Sequence, residues 1–286
     1  MSRIIRFGIS LGLIGFVIAQ FGTDVLQRLS HLRYEWLFLA LLLSVAQVVL
    51  SAWRWRYTAH QLGLELKRGT ALREYYLGTL VNQVLPGGVL GDAQRAWRHG
   101  QSLTQRSPAF QAVIIERFSG QLAMVLIALG AWLIAPWRPA LPPAFVLGLA
   151  TIGLISTGFL SVTSLKRWAP NWWQALEQGL LQWRVLPLQM GASVLVATSY
   201  IGVFACCLMA SAAMGSPVIW LGLIPLVLFA MLIPLSLGGW GLREGAAAVL
   251  WPLAGLAAAE GVTAAILYGG LSLIASLPGV IALIRR

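Results

Sequence analysis

Two short stretches of the chain each combine a proline, three glycines, an arginine and an acidic residue. They comprise Pro86, Gly87, Gly88, Gly91, Asp92 and Arg95 in the first motif, and Pro234, Gly238, Gly239, Gly241, Arg243 and Glu244 in the second. An arginine guanidinium can form two parallel hydrogen bonds to a phosphate, and a neighbouring carboxylate can orient it. Both motifs therefore indicate binding of a phosphate or another anionic group.

The charged residues of the motifs also have plainer interpretations. Asp92 and Arg95 are three residues apart, which places them as an intrahelical ion pair if a helix begins just before them. The alternative is that Arg95, together with Arg98, holds a phosphate. Glu244 would complement the positive end of a helix that starts near it. Arg243 is a candidate for binding an anionic headgroup from the exterior.

Three further polar residues are candidates for the same site. Asn82 precedes the first motif and can hydrogen-bond to unwound backbone, which would also be a purely structural role. Glu116 and Arg117 stand where the next long apolar segment begins, so anchoring or an ion pair is their simplest role. The alternative is a gate contact between Glu116 or Arg117 and Asp92 or Arg95.

No catalytic constellation is visible in the sequence. His31, His60 and His99 are isolated, and neither a His-Glu-x-x-His motif nor a Walker loop occurs. Cys206 and Cys207 are adjacent within an apolar run, a spacing that suits neither a disulfide framework nor a metal site. We therefore expect no catalytic residue, metal or cofactor, and no enzyme activity.

The composition excludes a water-soluble globular protein. Hydrophobic residues make up 58% of the 286 residues and charged residues only 10%, whereas soluble domains carry roughly 25% charged residues. The net charge of +11 could suggest a nucleic-acid partner, but the basic residues lie between apolar segments. Their distribution is typical of membrane topology, and we expect no nucleic acid as a partner.

Apolar segments predict an all-α integral membrane protein. Six segments are long and apolar enough to span a bilayer: 4–21, 35–53, 118–137, 143–163, 186–213 and 262–284. Segments 75–91 and 218–242 contain the glycine and proline clusters that break helices, so we predict that both are re-entrant. The tryptophan-rich segment 164–184 is predicted to be an amphipathic helix at the membrane surface.

The positions of the two motifs predict an inverted repeat. Each motif follows two predicted spans and precedes one, and the motifs are separated by close to half of the chain. We therefore predict one membrane domain, 1–286, with inverted halves at 1–140 and 141–286. With both termini in the cytoplasm, 16 of the 20 lysines and arginines fall on the cytoplasmic side, as the positive-inside rule requires.

The ordered combination of Asn82, the two motifs and Glu116-Arg117 resembles a known family. It is similar to the flippase-like membrane family that includes the transmembrane part of bacterial lysyl-phosphatidylglycerol synthases, and the resemblance covers nearly the whole chain. It implies a lipid-translocating domain of the bacterial inner membrane, with both glycine-rich motifs near a central cavity. Because the sequence ends at Arg286 without a soluble aminoacyl-transferase domain, we do not expect lysyl transfer.

Three hypotheses of function follow. The leading one is a flippase for an anionic or phosphate-bearing lipid, such as a phospholipid, a glycolipid or a polyprenyl-phosphate-linked lipid, whose headgroup is held by Arg95 and Arg243 in turn. The alternatives are a membrane-embedded glycosyl or acyl transferase, for which Asp92 and Glu116 would be the acid or base, and a non-catalytic subunit of a lipid-synthesis complex. The expected partners are membrane lipids and, for the last hypothesis, lipid-synthesis enzymes.

Overall fold

The computed structural model describes residues 3–85, 88–101, 106–134, 169–231 and 238–284, and within them all regular structure is helical. Numbered in chain order, the helices are α1 (Arg3–Ser30), α2 (Tyr34–Gln61), α3 (Arg68–Val84), α4 (Leu90–Gly100), α5 (Ser107–Ile134), α6 (Pro170–Leu176), α7 (Leu186–Ala210), α8 (Pro217–Ala230), α9 (Leu242–Leu253), α10 (Ala258–Ser276) and α11 (Pro278–Ile284). A π-helical turn, Glu177–Leu181, continues α6. The predicted all-α class is confirmed for these residues.

Four stretches of the described residues are long and apolar enough to cross a membrane: Tyr34–Gln61, Ser107–Leu133, Leu186–Ala210 and Ala258–Ile284. They correspond to four of the six predicted spans. The predicted span 4–21 falls within the 28-residue helix α1, which is not one of these four, and the predicted span 143–163 lies outside the described residues. The protein is therefore a multi-pass membrane protein, while the number of six spans stays a prediction.

The first broken segment forms a helical hairpin. Helix α3 continues to Val84 and α4 begins at Leu90, so the break is narrower than the predicted 75–91. A Cβ on Gly91 would lie 1.9 Å from the carbonyl oxygen of Gly78, which shows that the backbones of α3 and α4 touch. With 17 residues, α3 is about 25 Å long, shorter than the roughly 30 Å hydrocarbon core.

The second broken segment is also a pair of short helices. Helix α8 contains Pro225 and continues to Ala230, so this proline does not end the helix as the predicted break at 218–242 implied. Before α9, Gly238, Gly239 and Gly241 have φ angles of 52°, 85° and 85°. This left-handed region is readily adopted only by glycine, which explains why the motif needs three glycines.

The two hairpins start from opposite ends of α2. At its N-terminal end the backbone N–H of Arg33 donates to the carbonyl oxygen of Ala210, at 3.0 Å, just before α8. At its C-terminal end the Nε of Arg56 donates to the carbonyl oxygen of Leu66, at 2.9 Å, just before α3. Since α2 has 28 residues and is about 42 Å long, the hairpins approach the middle of the protein from two sides.

The two predicted halves interlock. Helix α2 packs along α7, and α3 packs against α11, where a Cβ on Gly279 would lie 2.6 Å from the carbonyl oxygen of Tyr76. The largest apolar core is formed by α5, α7, α8, α9 and α10 around Phe204 and Trp251. Of the predicted surface segment 164–184, residues 164–168 lie outside the described residues, and the rest includes α6 and the π-helical turn. Its position at the membrane surface stays a prediction.

Candidate functional site: a polar cavity between the two broken segments

A cavity of about 220 Å³ lies where the two hairpins meet. Among the described residues, its wall carries five charged side chains, which come from α2, α4 and α5: Arg54, Asp92, Arg95, Glu116 and Arg117. The neighbouring walls are formed by residues of α3, α7, α8 and α10. Because charged groups at membrane depth are costly unless they are paired, the pairing within this group determines what the cavity can bind.

Glu116 is the central acidic residue of the cavity and is 0% exposed. Its Oε1 accepts hydrogen bonds from Nη2 of Arg54 and, at 3.4 Å, from the hydroxyl of Tyr75. Its Oε2 accepts from Nη2 of Arg95 at 2.6 Å. Two arginines thus compensate the charge of the carboxylate. The contact between Glu116 and Arg95 is present as an ion pair, and its role as a gate stays a prediction.

Asp92 forms the second ion-paired group. Its Oδ1 accepts from Nε of Arg95 at 3.0 Å, which is the predicted pairing three residues apart on one helix. Its Oδ2 accepts from Nδ2 of Asn82 at 2.9 Å and from Nη2 of Arg117. Arg95 therefore bridges the two carboxylates, and Asp92 connects α4 to both α3 and α5.

Arg95 is buried between two aromatic rings. Its guanidinium carbon lies 4.7 Å from the ring centroid of Trp55 and 4.5 Å from that of Tyr75, distances at which a cation is attracted to an aromatic face. Nη1 of Arg95 is buried without a hydrogen-bond partner among the described residues. A buried donor of this kind costs free energy until an acceptor reaches it.

Asn82 orients the start of α4. Its Oδ1 accepts a hydrogen bond of 2.7 Å from the backbone N–H of Gly91, one of the N–H groups that a helix start leaves without a partner. Asn82 therefore binds backbone as predicted, although its partner belongs to the first turn of α4 and not to unwound backbone. Since Asn82 also donates to Asp92, one side chain fixes both the helix start and the acidic residue of the cavity.

The second motif stands beside the cavity. Arg243 is 0% exposed, and its Nη2 donates to Oε1 of Glu244 at 2.6 Å. The other carboxylate oxygen of Glu244 accepts from the backbone N–H of Gly241 at 2.6 Å, in agreement with its predicted role at a helix start. The rings of Trp240 and Tyr268 flank the Arg243 guanidinium, and of these Tyr268 lines the cavity while Arg243 does not.

The sequence matches the family described as the lysylphosphatidylglycerol synthase TM region over residues 3–279. It belongs to that family. The match confirms the resemblance carried by the two motifs, and membership in the lysylphosphatidylglycerol synthase TM family indicates a function related to membrane lipids. No curated protein and no solved structure gives a match.

In this member of the lysylphosphatidylglycerol synthase TM family, most of the predicted site residues of the first half meet at one place. Asn82, Gly88, Asp92, Arg95, Glu116, Arg117 and, from the second half, Gly238 line the cavity. Gly91 lies at the contact between α3 and α4, and Gly239, Gly241, Arg243 and Glu244 stand beside the cavity without lining it. Pro86, Gly87 and Pro234 lie outside the described residues.

Arg98 belongs to a different pocket. Its Nε lies 3.0 Å from Oε2 of Glu74, in a second cavity at the base of the first hairpin that is also lined by His99. Nε2 of His99 lies 3.2 Å from the carbonyl oxygen of Glu65, and burial lowers the pKa of this imidazole. Arg98 therefore does not assist Arg95 at the central cavity, contrary to the alternative considered for the first motif.

Sequence reasoning overlooked Arg54. The predicted span ended at residue 53, whereas α2 continues to Gln61 and buries Arg54 against Glu116 and Ser193. The flanking Trp53 and Trp55 did not reveal this, because an arginine beside tryptophans is more typical of a span end at the membrane interface. Tyr75, Tyr200 and Tyr268 of the cavity wall carried no signal either, since isolated tyrosines are common in membrane helices.

Proposed function

We propose that this protein moves an anionic or phosphate-bearing lipid across the membrane and that the polar cavity binds the headgroup. The observation that carries the proposal is the charge of the cavity, where three arginines face two carboxylates. Apart from the three arginines of the cavity, most lysines and arginines lie in segments predicted to be cytoplasmic, which supports a location in the bacterial inner membrane with both termini in the cytoplasm.

The excess of positive charge supports an anionic ligand. Arg54, Arg95 and Arg117 each bind a carboxylate, yet among the described residues of the cavity wall the arginines exceed the carboxylates by one. Arg117 is the most accessible of the three, with 33% of its side chain exposed. A phosphate accepted by Arg117 and by the buried Nη1 of Arg95 would neutralise this charge and supply the missing acceptor.

The arrangement of the hairpins supports movement across the membrane. They start from opposite ends of α2, and the two hairpins meet where a Cβ on Gly238 would lie 2.6 Å from the carbonyl oxygen of Gln83. Broken helices that meet at a central site are typical of transporters in which the two halves open in turn. In this proposal, movement of the first hairpin away from its neighbours opens the cavity to one side, and movement of the second hairpin opens it to the opposite side.

A transferase is the alternative in which the same cavity performs chemistry. It requires a carboxylate that can accept a proton, and both Asp92 and Glu116 already accept hydrogen bonds from two arginines each. Neither carboxylate can approach a substrate proton without giving up an ion pair, which favours transport. The hypothesis of a non-catalytic subunit predicts that substitutions at the cavity are tolerated as long as the protein folds.

Reconstituted vesicles provide the test. The purified chain is inserted into liposomes with fluorescent phosphatidylglycerol, and translocation is followed by chemical quenching of the outer leaflet. Arg117→Gln is expected to slow translocation about tenfold or more, since a hydrogen bond to a charged group contributes roughly 1.5–3 kcal/mol. The matched control is Arg184→Gln, at an exposed arginine away from the cavity, which should leave the rate unchanged.

Two outcomes would contradict the proposal. If the wild-type protein moves no more lipid than empty liposomes, the protein is not a translocator of this lipid class. If wild type and Arg117→Gln move it equally, the cavity is not the headgroup site. Mass spectrometry of the same lipids separates the transferase, because transport leaves headgroup chemistry unchanged whereas transfer produces a new headgroup.

A further inference from the structure

We infer that the headgroup taken by the cavity is a small phosphate ester rich in hydroxyl groups, and that headgroups bearing an ammonium group are rejected. A glycerol phosphate or a monosaccharide phosphate has this chemistry. The inference rests on the proposed function and names its substrate class. It depends on three features of the cavity: its occupied carboxylates, its neutral polar side chains and its size.

Every carboxylate oxygen in the described cavity wall already has a guanidinium partner. Oδ1 of Asp92 binds Arg95, and Oδ2 binds Arg117. Oε1 of Glu116 binds Arg54, and Oε2 binds Arg95. An ammonium group entering the cavity would find no free anion, and it would have to displace an arginine to obtain one.

The remaining charge acts in the same direction. Bringing an ammonium group next to a cavity with an excess arginine adds like-charge repulsion to the loss of its hydration. A phosphate gains from the same excess charge, and Nη1 of Arg95 and Nε of Arg54, both buried without a partner in the described structure, are donors that an anion can use. The cavity therefore discriminates between headgroups of opposite charge.

The uncharged part of the wall is suited to hydroxyl groups. Among the described lining residues, it combines twelve serine, threonine, tyrosine, asparagine and glutamine side chains, from α2, α3, α5, α7 and α10, with about as many apolar residues and glycines. Gln83 and Gln121 line it, and Oε1 of each is buried without a hydrogen-bond partner among the described residues. A hydroxyl group both donates and accepts, as does a side-chain amide, so hydroxyls can satisfy these groups wherever they meet them.

The size of the cavity limits the headgroup. Its volume of about 220 Å³ is below the roughly 300–1,000 Å³ of pockets that hold drug-sized ligands. A glycerol or a single sugar with its phosphate suits this space better than an oligosaccharide. The cavity would therefore also reject the lysyl-bearing lipid in the name of the family, because a lysyl group carries ammonium groups.

A displacement assay tests the inference independently of transport. The full chain in detergent binds fluorescent phosphatidylglycerol, and short-chain lipids compete for the site. Phosphatidylethanol has the same single negative charge as phosphatidylglycerol but lacks its two hydroxyls, while phosphatidylethanolamine and lysyl-phosphatidylglycerol carry ammonium groups. We expect phosphatidylglycerol to compete about tenfold better than phosphatidylethanol, as expected for one or two lost hydrogen bonds. It should also compete about tenfold better than the two ammonium-bearing lipids, because their ammonium groups meet like-charge repulsion in the cavity.

Substitution of Gln121 tests whether its side-chain amide causes the preference for headgroups with hydroxyls. Gln121→Leu should remove most of the difference between phosphatidylglycerol and phosphatidylethanol, whereas Gln182→Leu, at an exposed glutamine outside the cavity, should keep it. Ser272→Ala, which removes a hydroxyl from the cavity wall, provides a second test if Gln121→Leu does not fold. In that variant the difference should become smaller but should not vanish.

The possible outcomes separate this inference from the proposed function. Equal competition by phosphatidylethanol, stronger competition by an ammonium-bearing lipid, or no binding of the fluorescent probe would overturn the inference. Selective binding without translocation in vesicles would overturn the transport proposal and leave the selectivity intact. Water-soluble glycerol phosphate serves as a further competitor. If it competes as well as phosphatidylglycerol, the ligand is a free phosphate ester and the acyl chains are not required.

Discussion

Gln83 and Gly238 bring the two broken segments into direct contact. A Cβ on Gly238 would lie 2.6 Å from the carbonyl oxygen of Gln83, although the two residues belong to opposite halves of the chain. Both residues line the polar cavity, so the contact closes the space in which the charged side chains are held. Disturbing this contact should affect both the fold and the function.

We expect Gly238→Ala to destabilise the protein and to slow lipid translocation. Its φ of 52° is costly for any residue with a Cβ, by about 1–2 kcal/mol, and the new methyl group would push against Gln83. Thermal unfolding in detergent and the vesicle assay would measure the two effects. Gly245→Ala is the control, because a Cβ there meets nothing within 4 Å; equal melting temperatures for the two variants would contradict the contact.

Glu116→Gln should destabilise the protein by about 3–5 kcal/mol, the usual cost of leaving a buried charge without its partner. The amide would face Arg54 and Arg95, both of which now donate to Glu116. Adding Arg54→Gln removes one uncompensated charge, so the double variant should be more stable than Glu116→Gln alone. Chemical denaturation of the solubilised protein would measure this.

An exposed acidic residue provides the comparison for that series. Glu177 is exposed on the π-helical turn, and Glu177→Gln should leave the denaturation midpoint unchanged. If Glu116→Gln is as stable as Glu177→Gln, Arg54 and Arg95 are not held in place by the Glu116 carboxylate.

Two neighbouring glycines in α10 should differ sharply in tolerance to alanine. A Cβ on Gly269 would lie 2.2 Å from Nη2 of Arg243 and 2.8 Å from the ring of Trp240, whereas a Cβ on Gly270 would meet nothing within 4 Å. Gly269→Ala should therefore displace the buried Arg243 from Glu244 and lower the melting temperature. Gly270→Ala should have little effect, and similar melting temperatures would show that Arg243 is not confined as described.

Cysteine labelling should place the two ends of α7 on opposite faces of the membrane. The side chains of Trp183 and Met214, just beyond its ends, are 84% and 88% exposed. After Cys206 and Cys207 are replaced by alanine, Trp183→Cys should react with a membrane-impermeant maleimide from the cytoplasmic side and Met214→Cys from the exterior. Labelling of both from one side would contradict the predicted topology.

The same labelling method tests whether the hairpins are re-entrant. Gly69 and Gln101 are exposed at the two ends of the first hairpin, so cysteines at both should react from the face that exposes Trp183→Cys. Ala257, exposed after the second hairpin, should react from the face that exposes Met214→Cys. If cysteines at residues 69 and 101 react from opposite faces, the α3–α4 segment crosses the membrane instead of returning.

The local features of the protein could be predicted from its sequence. Composition and apolar length identify a membrane protein, because burial of apolar surface in lipid depends on the residues of each segment alone. Glycine clusters identify the two breaks, and the spacing of Asp92 and Arg95 identifies an ion pair within one helix. Asn82 could likewise be assigned to the start of a helix, because its partner lies only nine residues away.

The choice of partners across the fold was decided by the tertiary structure. Arg54 of α2 binds Glu116 of α5, which lies 62 residues further along the sequence. Arg98 forms an ion pair with Glu74 and does not lie beside Arg95 in the central cavity. The guanidinium of Arg243 lies between Trp240 and Tyr268 beside the cavity. The second motif therefore does not place its arginine in the cavity wall, whereas the first motif does. Charged residues at similar spacing have different roles because the helix packed against them determines which opposite charge is near. The spacing of residues along one segment carries no information about that neighbouring helix.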